Sequence, residues 1–177
     1  MKKIIYTCPD GGMAIVHPAT DQRLVTPYVD GLRLGTIPFE RLRPHWESGG
    51  TFEWAETEDE FIQRVIAHSV PPDAINVQVI DAAEIPGDRT FRNAWQQDGI
   101  NISHNLVKAK AIAHAKRRED RAAEFALLDI EATIPATAAQ AEAARGAVRL
   151  KYAAMQVAID AATTPEALKA LLQGGAG

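Results

Sequence analysis

The sequence predicts an α+β fold in which a small N-terminal β-rich unit with one or two helices precedes a long antiparallel α-helical hairpin and a short C-terminal helix. Short β-prone runs separated by turns occupy the first part of the chain, and residues 103–162 carry apolar side chains at helical spacing. Most prolines and glycines and every tryptophan lie within the first 100 residues, whereas the remainder is rich in alanine. These shifts predict a domain at 1–85, a boundary segment at 86–102 and a helical domain at 103–173.

Two short β-prone runs predict an antiparallel hairpin at the start of the chain. They are residues 3–7 and 13–17, and Asp10-Gly11 between them favours the positive φ values of a tight turn. Further along, residues 75–80 alternate between apolar and polar side chains, which predicts another strand.

The chain between these strands has a less regular pattern. Residues 24–29 and 51–54 predict two strands. Pro27 has no N–H to donate, so the first of them is predicted to lie at a sheet edge. Residues 30–50 are predicted to be mostly irregular.

A helix of about three turns is predicted to begin at Thr57. Thr57 and Glu60 have the spacing of a capping box, in which each side chain accepts a hydrogen bond from the other residue's backbone N–H. Apolar residues follow at helical spacing: Phe61, Ile62, Val65 and Ile66.

Two long periodic segments predict the helical hairpin. The first segment covers residues 103–133. One arc of this helix, extended to the next residue, carries Ala109, Ile112, Lys116, Ala123, Leu127, Ile130 and Ile134. In the second, residues 138–162, one arc carries Ala141, Ala144, Val148, Tyr152, Met155, Ile159 and Ala162. Because only a short turn joins the segments, the two arcs are predicted to meet as the seam of the hairpin.

Capping patterns predict where the later helices begin. Thr137 and Gln140 have capping-box spacing just after Pro135. Thr164 followed by Pro165 predicts the N-cap and first position of a short closing helix.

Charge and hydropathy exclude several classes of protein. The net charge is −4, with a balance of −6 over residues 1–100 and +2 over residues 101–177. No apolar run approaches the roughly 20 residues of a membrane span, and we expect no secretory signal peptide. The single cysteine, Cys8, cannot form an intrachain disulfide or a thiolate zinc cage, which indicates a reducing compartment such as the cytosol.

No residue set points to catalysis. The histidines are scattered along the chain: His17, His45, His68, His104 and His114. Cys8 and His17 would make a nucleophile and its base, but no third group is placed to orient the histidine. Asp10-Gly11-Gly12 lacks the lysine and helix of a phosphate-binding loop. We therefore expect a protein without enzymatic activity, cofactor or metal.

A basic stripe, defined as Lys110, His114, Arg117 and Arg121, lies on the first long helix away from the predicted seam. Such a stripe would suit nucleic-acid phosphates. Against this, acidic residues interleave it and no aromatic side chain shares its face for base stacking. The other interpretations are a solvated helix face and a surface that docks onto the acidic N-terminal half.

Two large aromatic residues, Phe91 and Trp95, lie four positions apart in the boundary segment, with Arg92 between them. One interpretation is that the rings anchor the helical hairpin on the N-terminal unit. The other is that they form a hot spot for a protein partner, since aromatic and arginine side chains are common there. The candidate partner-binding residues are therefore Phe91, Arg92, Trp95 and the basic stripe.

Several segments of the chain occur in an order found in a known group of proteins. They are Ile4-Ile5-Tyr6 with Pro9-Asp10-Gly11-Gly12 and Val16, Val79-Ile80-Asp81 with Ile85-Pro86, Asp88-Arg89-Thr90-Phe91-Arg92-Asn93-Ala94-Trp95, Lys108-Ala109-Lys110, and Ala162-Thr163-Thr164-Pro165-Glu166-Ala167-Leu168-Lys169. In this order they resemble small proteins encoded among the tail and tail-fibre genes of tailed bacteriophages and prophages. The stretch 88–95 is the most specific element, and residues 20–55 look like an insertion in the usual pattern.

The resemblance implies a non-enzymatic tail component or tail-fibre assembly factor. Its partners would be tail or tail-fibre proteins or further copies of itself, bound in the host cytoplasm during assembly or in the finished virion. The resemblance carries no catalytic residue. A nucleic-acid-binding or regulatory phage protein that uses the basic stripe is the alternative.

Overall fold

The computed structural model describes residues 1–29, 32–50 and 52–174 and shows a mixed α+β fold. N-terminal strands precede two long helices that pack together and a short C-terminal helix. The predicted fold class is therefore confirmed.

The chain forms two compact units. The strand unit contains residues 1–86 and 97–102, and the helical unit contains residues 87–96 and those from 103 on. The strand unit includes β1 (Lys2–Thr7), β2 (Met13–Val16), β3 (Leu24–Val29), β4 (Leu32–Arg33), β5 (Ile37–Pro38), α1 (Phe39–Glu47), β6 (Phe52–Ala55), α2 (Glu58–Ser69) and β7 (Ile75–Asp81). The paired strands β8 (Trp95–Asp98) and β9 (Asn101–His104) carry the chain between the units, and α3 (Leu106–Ala132), α4 (Ala138–Ala161) and α5 (Pro165–Gly174) follow.

β1 lies at the centre of a three-stranded antiparallel sheet, with β2 on one side and β7 on the other. The predicted hairpin and the later strand are therefore confirmed. At the hairpin turn, Gly11 has a φ of 73°, and the N–H of Gly12 donates to Asp10 Oδ1 at 2.8 Å. The Asp-Gly pair thus supplies the left-handed residue that the turn requires.

The predicted capping box at the start of α2 is also confirmed. The N–H of Glu60 donates to Thr57 Oγ1 at 3.2 Å, and the N–H of Thr57 donates to Glu60 Oε2 at 2.8 Å. This start orients the apolar face of α2 toward the sheet. The core of the strand unit consists of Ile4 from β1 and Phe61, Ile62 and Val65 from α2.

β3 covers the predicted residues, but the prediction that it is an edge strand is wrong. Val25 pairs with Ile37 of β5 and with Ala55 of β6, so both edges of the strand are paired at this residue. The register shifts between Thr26 and Pro27. Such an irregularity accommodates a residue that has no N–H to donate.

Residues 30–50 were expected to be mostly irregular, but within their described part they form β4, β5 and α1. The sequence masked this helix because Pro44 lies inside it, and proline is a strong helix breaker. Three positions of these predictions, Asp30, Gly31 and Thr51, lie outside the described residues.

The two long helices form the predicted antiparallel hairpin, α3 and α4. α3 begins later than expected because residues 101–104 form β9. Asn105 then caps the helix, its Oδ1 accepting a hydrogen bond from the N–H of Lys108 at 3.0 Å.

On α4 the predicted seam is confirmed. Ala141, Tyr152, Met155, Ile159 and Ala162 are buried, and Ala144 and Val148 are half-buried. On α3 the prediction is correct only near the start, where Ala109 is buried and Ile112 is half-buried. Lys116 and Ala123 are exposed, and Leu127, Ile130 and Ile134 are 68%, 64% and 48% exposed.

A polar inner face on α3 explains this error. Beyond Ala113, which is fully buried, α3 contacts α4 through charged side chains. Arg117 donates from Nη1 to the backbone oxygen of Tyr152 at 3.1 Å, and Glu124 accepts a hydrogen bond from the Tyr152 hydroxyl at 2.6 Å. Arg117 and Glu124 share this side of the helix with Leu128, which is half-buried. The inner face of α3 is therefore rotated away from Leu127 and Ile130, and these two residues face solvent.

Of the two capping patterns predicted for the later helices, one is wrong and one is confirmed. Thr137 does not cap α4; its Oγ1 donates to the backbone oxygen of Glu131 at 2.8 Å, so the predicted capping box there is wrong. The hydroxyl instead satisfies a carbonyl at the end of α3. Thr164 does cap α5, since its Oγ1 accepts the N–H of Ala167 at 3.2 Å.

Candidate functional site

Both side chains of the candidate aromatic pair are buried. Phe91 and Trp95 are each 3% exposed. Phe91 belongs to the cluster that includes Ala109 and Leu168, and Trp95 Nε1 donates to His104 Nε2 at 3.1 Å. This burial agrees with a structural role for the rings and gives no support to an exposed hot spot.

The segment that carries these rings is fixed at its start by Asp88. Lys169 Nζ donates to Asp88 Oδ2 at 2.7 Å, and the N–H and hydroxyl of Thr90 both donate to Asp88 Oδ1. The Lys169 ammonium, followed by the Thr90 donors, lowers the pKa of Asp88 below its usual range. Arg92, the third candidate of this segment, is exposed.

Three members of the basic stripe join α3 to α4. Lys110 Nζ donates to the backbone oxygen of Asp160 at 2.6 Å, and His114 Nε2 lies 2.9 Å from Asp160 Oδ1. Arg117 binds the backbone of Tyr152, as described above. These groups are therefore used within the hairpin rather than presented together as one cationic surface.

A buried tyrosine and two charged residues strengthen the same interface. Tyr152 is 2% exposed, and its hydroxyl donates to Glu124 Oε1. The same oxygen accepts a hydrogen bond from Lys151 Nζ at 2.8 Å. Burial, together with the adjacent Glu124 carboxylate, raises the pKa of Tyr152. The Lys151 ammonium and the Tyr152 hydroxyl lower the pKa of Glu124.

The fourth member of the stripe, Arg121, belongs to a different cluster around Phe125. The guanidinium carbons of Arg121, Arg145 and Arg149 lie 5.1, 5.9 and 5.9 Å from the centre of the Phe125 ring. These distances suit cation–π attraction. A groove of about 490 Å³ beside the ring, which we call the arginine groove, is lined by Arg118, Arg121, Ala122, Phe125 and Arg149.

The sequence analysis missed most of the arginine groove, although the sequence holds a signal for it. An antiparallel hairpin that turns near residues 134–137 places residues around 125 of α3 beside residues around 147 of α4. Arg145 and Arg149 are four apart on α4, so they share a helix face. The predicted hairpin register would have brought them to Phe125.

An exposed apolar face runs along the second half of α3. We call it the outer apolar face and define it as Ala123, Leu127 and Ile130 of α3, together with Ile134 just beyond the end of the helix. Within the helix its spacing of four and three residues is that of a coiled-coil seam. On α4, Leu150 and Val157 are 75% and 69% exposed and lie seven residues apart, on one face.

The strand unit contains a buried carboxylate that the sequence analysis also missed. Glu56 is 3% exposed and accepts hydrogen bonds from Arg64 Nε at 2.7 Å, Arg64 Nη2 at 2.9 Å and the N–H of Leu24 at 2.9 Å. Burial raises the pKa of Glu56, but the Arg64 and Leu24 donors outweigh it, so the pKa is lowered overall. Glu56 thus connects the start of β3 with α2.

A groove of about 690 Å³ lies beside this network. It is lined by Asp21, Gln22, Leu24, Pro38, Glu40, Arg41, Arg64 and His68. Its charged side chains have mixed signs, and Arg64 is already paired with Glu56. The groove therefore lacks a dominant charge that would select one class of ligand.

Within residues 1–29, 32–50 and 52–174, no three histidine, cysteine or acidic side chains lie close enough together to hold a metal ion. None of the helices in these ranges is long and apolar enough to cross a bilayer. Comparison of the chain with protein-family models, with curated proteins and with solved structures found no match.

Proposed function

We propose that the protein is a non-enzymatic bacteriophage tail component or tail-fibre assembly factor that acts by binding another protein of the tail or tail fibre. The observation that supports protein binding is the outer apolar face of α3. The assignment to phage tails rests on the resemblance of the segments from residue 4 to residue 169, above all the stretch 88–95. The role would be carried out in the host cytoplasm during assembly or in the virion.

The outer apolar face supports this function because its large side chains remain exposed in the part of the chain that the structure describes. Leu127 and Ile130 are 68% and 64% exposed, whereas Ala113 on the inner face is fully buried. Contiguous apolar side chains on a surface mark interaction sites. Complete burial of one such large side chain contributes about 1.5–3 kcal/mol, so a partner helix with a matching seam would bind here favourably.

Co-expression with tail and tail-fibre proteins of a tailed phage tests the proposal. The double variant Leu127→Glu, Ile130→Glu should lose the partner that co-purifies with the native chain, because a charge on each apolar position opposes burial. Its circular dichroism should be unchanged. Val107→Glu is the matched control, since Val107 is 78% exposed on the same helix and lies outside the outer apolar face.

Retention of the tail partner by the double variant would contradict the proposal. So would binding of the native chain to DNA that weakens steeply with salt in the absence of any tail partner, because that result favours the nucleic-acid alternative. Mass spectrometry of purified virions distinguishes the two roles, since an assembly factor is absent from the finished particle and a tail component is present.

A further inference from the structure

The arginine groove carries more positive charge than its neighbours neutralise. Arg145 pairs with Asp129 at 2.8 Å and with Glu142 at 3.2 Å, and Arg149 pairs with Glu142 at 3.0 Å. Neither Arg118 nor Arg121 forms an ion pair with any residue of the described ranges. A surplus of positive charge therefore lines the groove.

The acidic residues closest in sequence do not remove this surplus. Glu119 and Asp120 lie between Arg118 and Arg121, but both pair with Lys116, at 3.2 and 2.9 Å. The two carboxylates are thus engaged by the other side of α3. An anion that enters the groove could therefore pair with the guanidinium groups of Arg118 and Arg121.

The groove also has a defined shape. The guanidinium carbon of Arg121 lies 5.1 Å from the centre of the Phe125 ring, and a guanidinium in a cation–π contact still has N–H groups to donate. Such an edge matches the two oxygens of a carboxylate. Ala122 and Phe125 add apolar wall, and a volume of about 490 Å³ accommodates more than one side chain.

Several features favour a protein segment over nucleic acid. Asp129 and Glu142, whose side chains are 54% and 56% exposed, pair with Arg145 and Arg149. They would repel the unbroken charge of a phosphate backbone, whereas a peptide can place apolar side chains beside them. Three guanidinium groups lie within 6 Å of the centre of the Phe125 ring and compete with a base for stacking on it. The outer apolar face begins at Ala123, directly beside Ala122 in sequence.

We propose that the arginine groove binds an acidic segment of the partner protein, in which glutamate or aspartate side chains alternate with apolar ones. The carboxylates pair with Arg118 and Arg121, and the apolar side chains contact Ala122 and Phe125. This inference rests on the proposed function, in which the hairpin binds a protein, and it names the chemistry of the segment that is bound.

Fluorescence anisotropy with a short labelled peptide of repeated Glu-Leu-Ala-Glu units tests the groove directly. The peptide should bind, and its Kd should rise with salt. The double variant Arg118→Ala, Arg121→Ala should raise the Kd about tenfold or more, because charge-assisted hydrogen bonds are lost. The double variant Arg41→Ala, Arg89→Ala removes the same charge from exposed positions elsewhere and should bind like the native chain.

Three results would overturn the inference. The first is equal binding of a peptide with glutamine in place of glutamate. The second is an equal loss of affinity in both double variants. The third is tighter binding of single-stranded DNA than of the peptide, dependent on Arg118 and Arg121.

The same variants separate this inference from the proposed function. If the chain with Arg118→Ala and Arg121→Ala still captures its tail partner with unchanged affinity, the acidic-segment inference is wrong and the proposed function stands. If the native chain captures no tail partner but binds the acidic peptide through the groove, the phage-tail function is wrong. The inference that the groove binds acidic segments is then upheld.

Discussion

At the residue scale, Glu56 illustrates how one buried carboxylate stabilises the strand unit. It accepts three hydrogen bonds, two of them from Arg64. We expect Glu56→Gln to reduce the free energy of unfolding at pH 7 by about 2 kcal/mol, because hydrogen bonds to a charged group are weakened. Urea denaturation measures this loss. Asp73→Asn, at an exposed position, should leave stability unchanged.

The same residue predicts a pH dependence. The pKa of Glu56 in the folded chain is below its unfolded value of 4.5. Its contribution is therefore fully present above pH 4.5 and is lost as the pH falls through the folded pKa. The difference in stability between the native chain and Glu56→Gln should accordingly shrink in acid. A difference that stays constant down to strongly acidic pH would contradict this assignment.

A second prediction at this scale concerns Tyr152. Removal of its hydroxyl in Tyr152→Phe should cost about 1.5–3 kcal/mol, because the bond to the Glu124 carboxylate is lost. Since its pKa is raised, the native phenol remains protonated at a pH where an ordinary tyrosine ionises. Ultraviolet titration of the folded protein should show a late step that Tyr152→Phe removes. Tyr6→Phe serves as the control and should leave that late step in place.

At the scale of the element, α3 has an inner face and an outer apolar face that respond oppositely to charge. Ala113→Asp should unfold the helical unit, because a charge at a fully buried position has no partner. Leu127→Asp should keep both helicity and melting temperature, since Leu127 is 68% exposed. Circular dichroism during heating tests both variants. Unfolding of the Leu127→Asp variant would show that Leu127 belongs to the buried seam, as the sequence pattern predicted.

At the scale of the whole molecule, the helical unit depends on a segment that precedes its helices. Phe91 and Ala94 pack in the same core as Tyr152 and Leu168. The double variant Phe91→Ala, Trp95→Ala should lower the melting temperature markedly, because truncation of one packed aromatic ring costs about 3–5 kcal/mol. Arg92→Ala should have little effect on stability, since Arg92 is exposed. Unchanged stability of the double variant would show that the rings do not support this core.

The sequence determined the parts of this protein that depend on neighbouring residues along the chain. The hairpin at residues 3–17, the capping box at Thr57 and the cap at Thr164 are short-range patterns in which backbone donors are satisfied within a few residues. The seam of α4 followed from the same logic, because a single apolar arc on a helix has only one face to bury. These features could be predicted with no knowledge of what packs against them.

Tertiary structure decided the rest. α3 carries two faces that are each capable of facing inward, and pattern alone selected the apolar one. The contacts of Arg117 and Glu124 with Tyr152 placed the polar face inside, a choice that depends on groups from α4. The contacts of Glu56 with Leu24 and Arg64 and the convergence of arginines on Phe125 likewise join residues that lie apart in the sequence. Hydropathy along one chain cannot encode such pairs, because a buried charge is stable only when its distant partner is present.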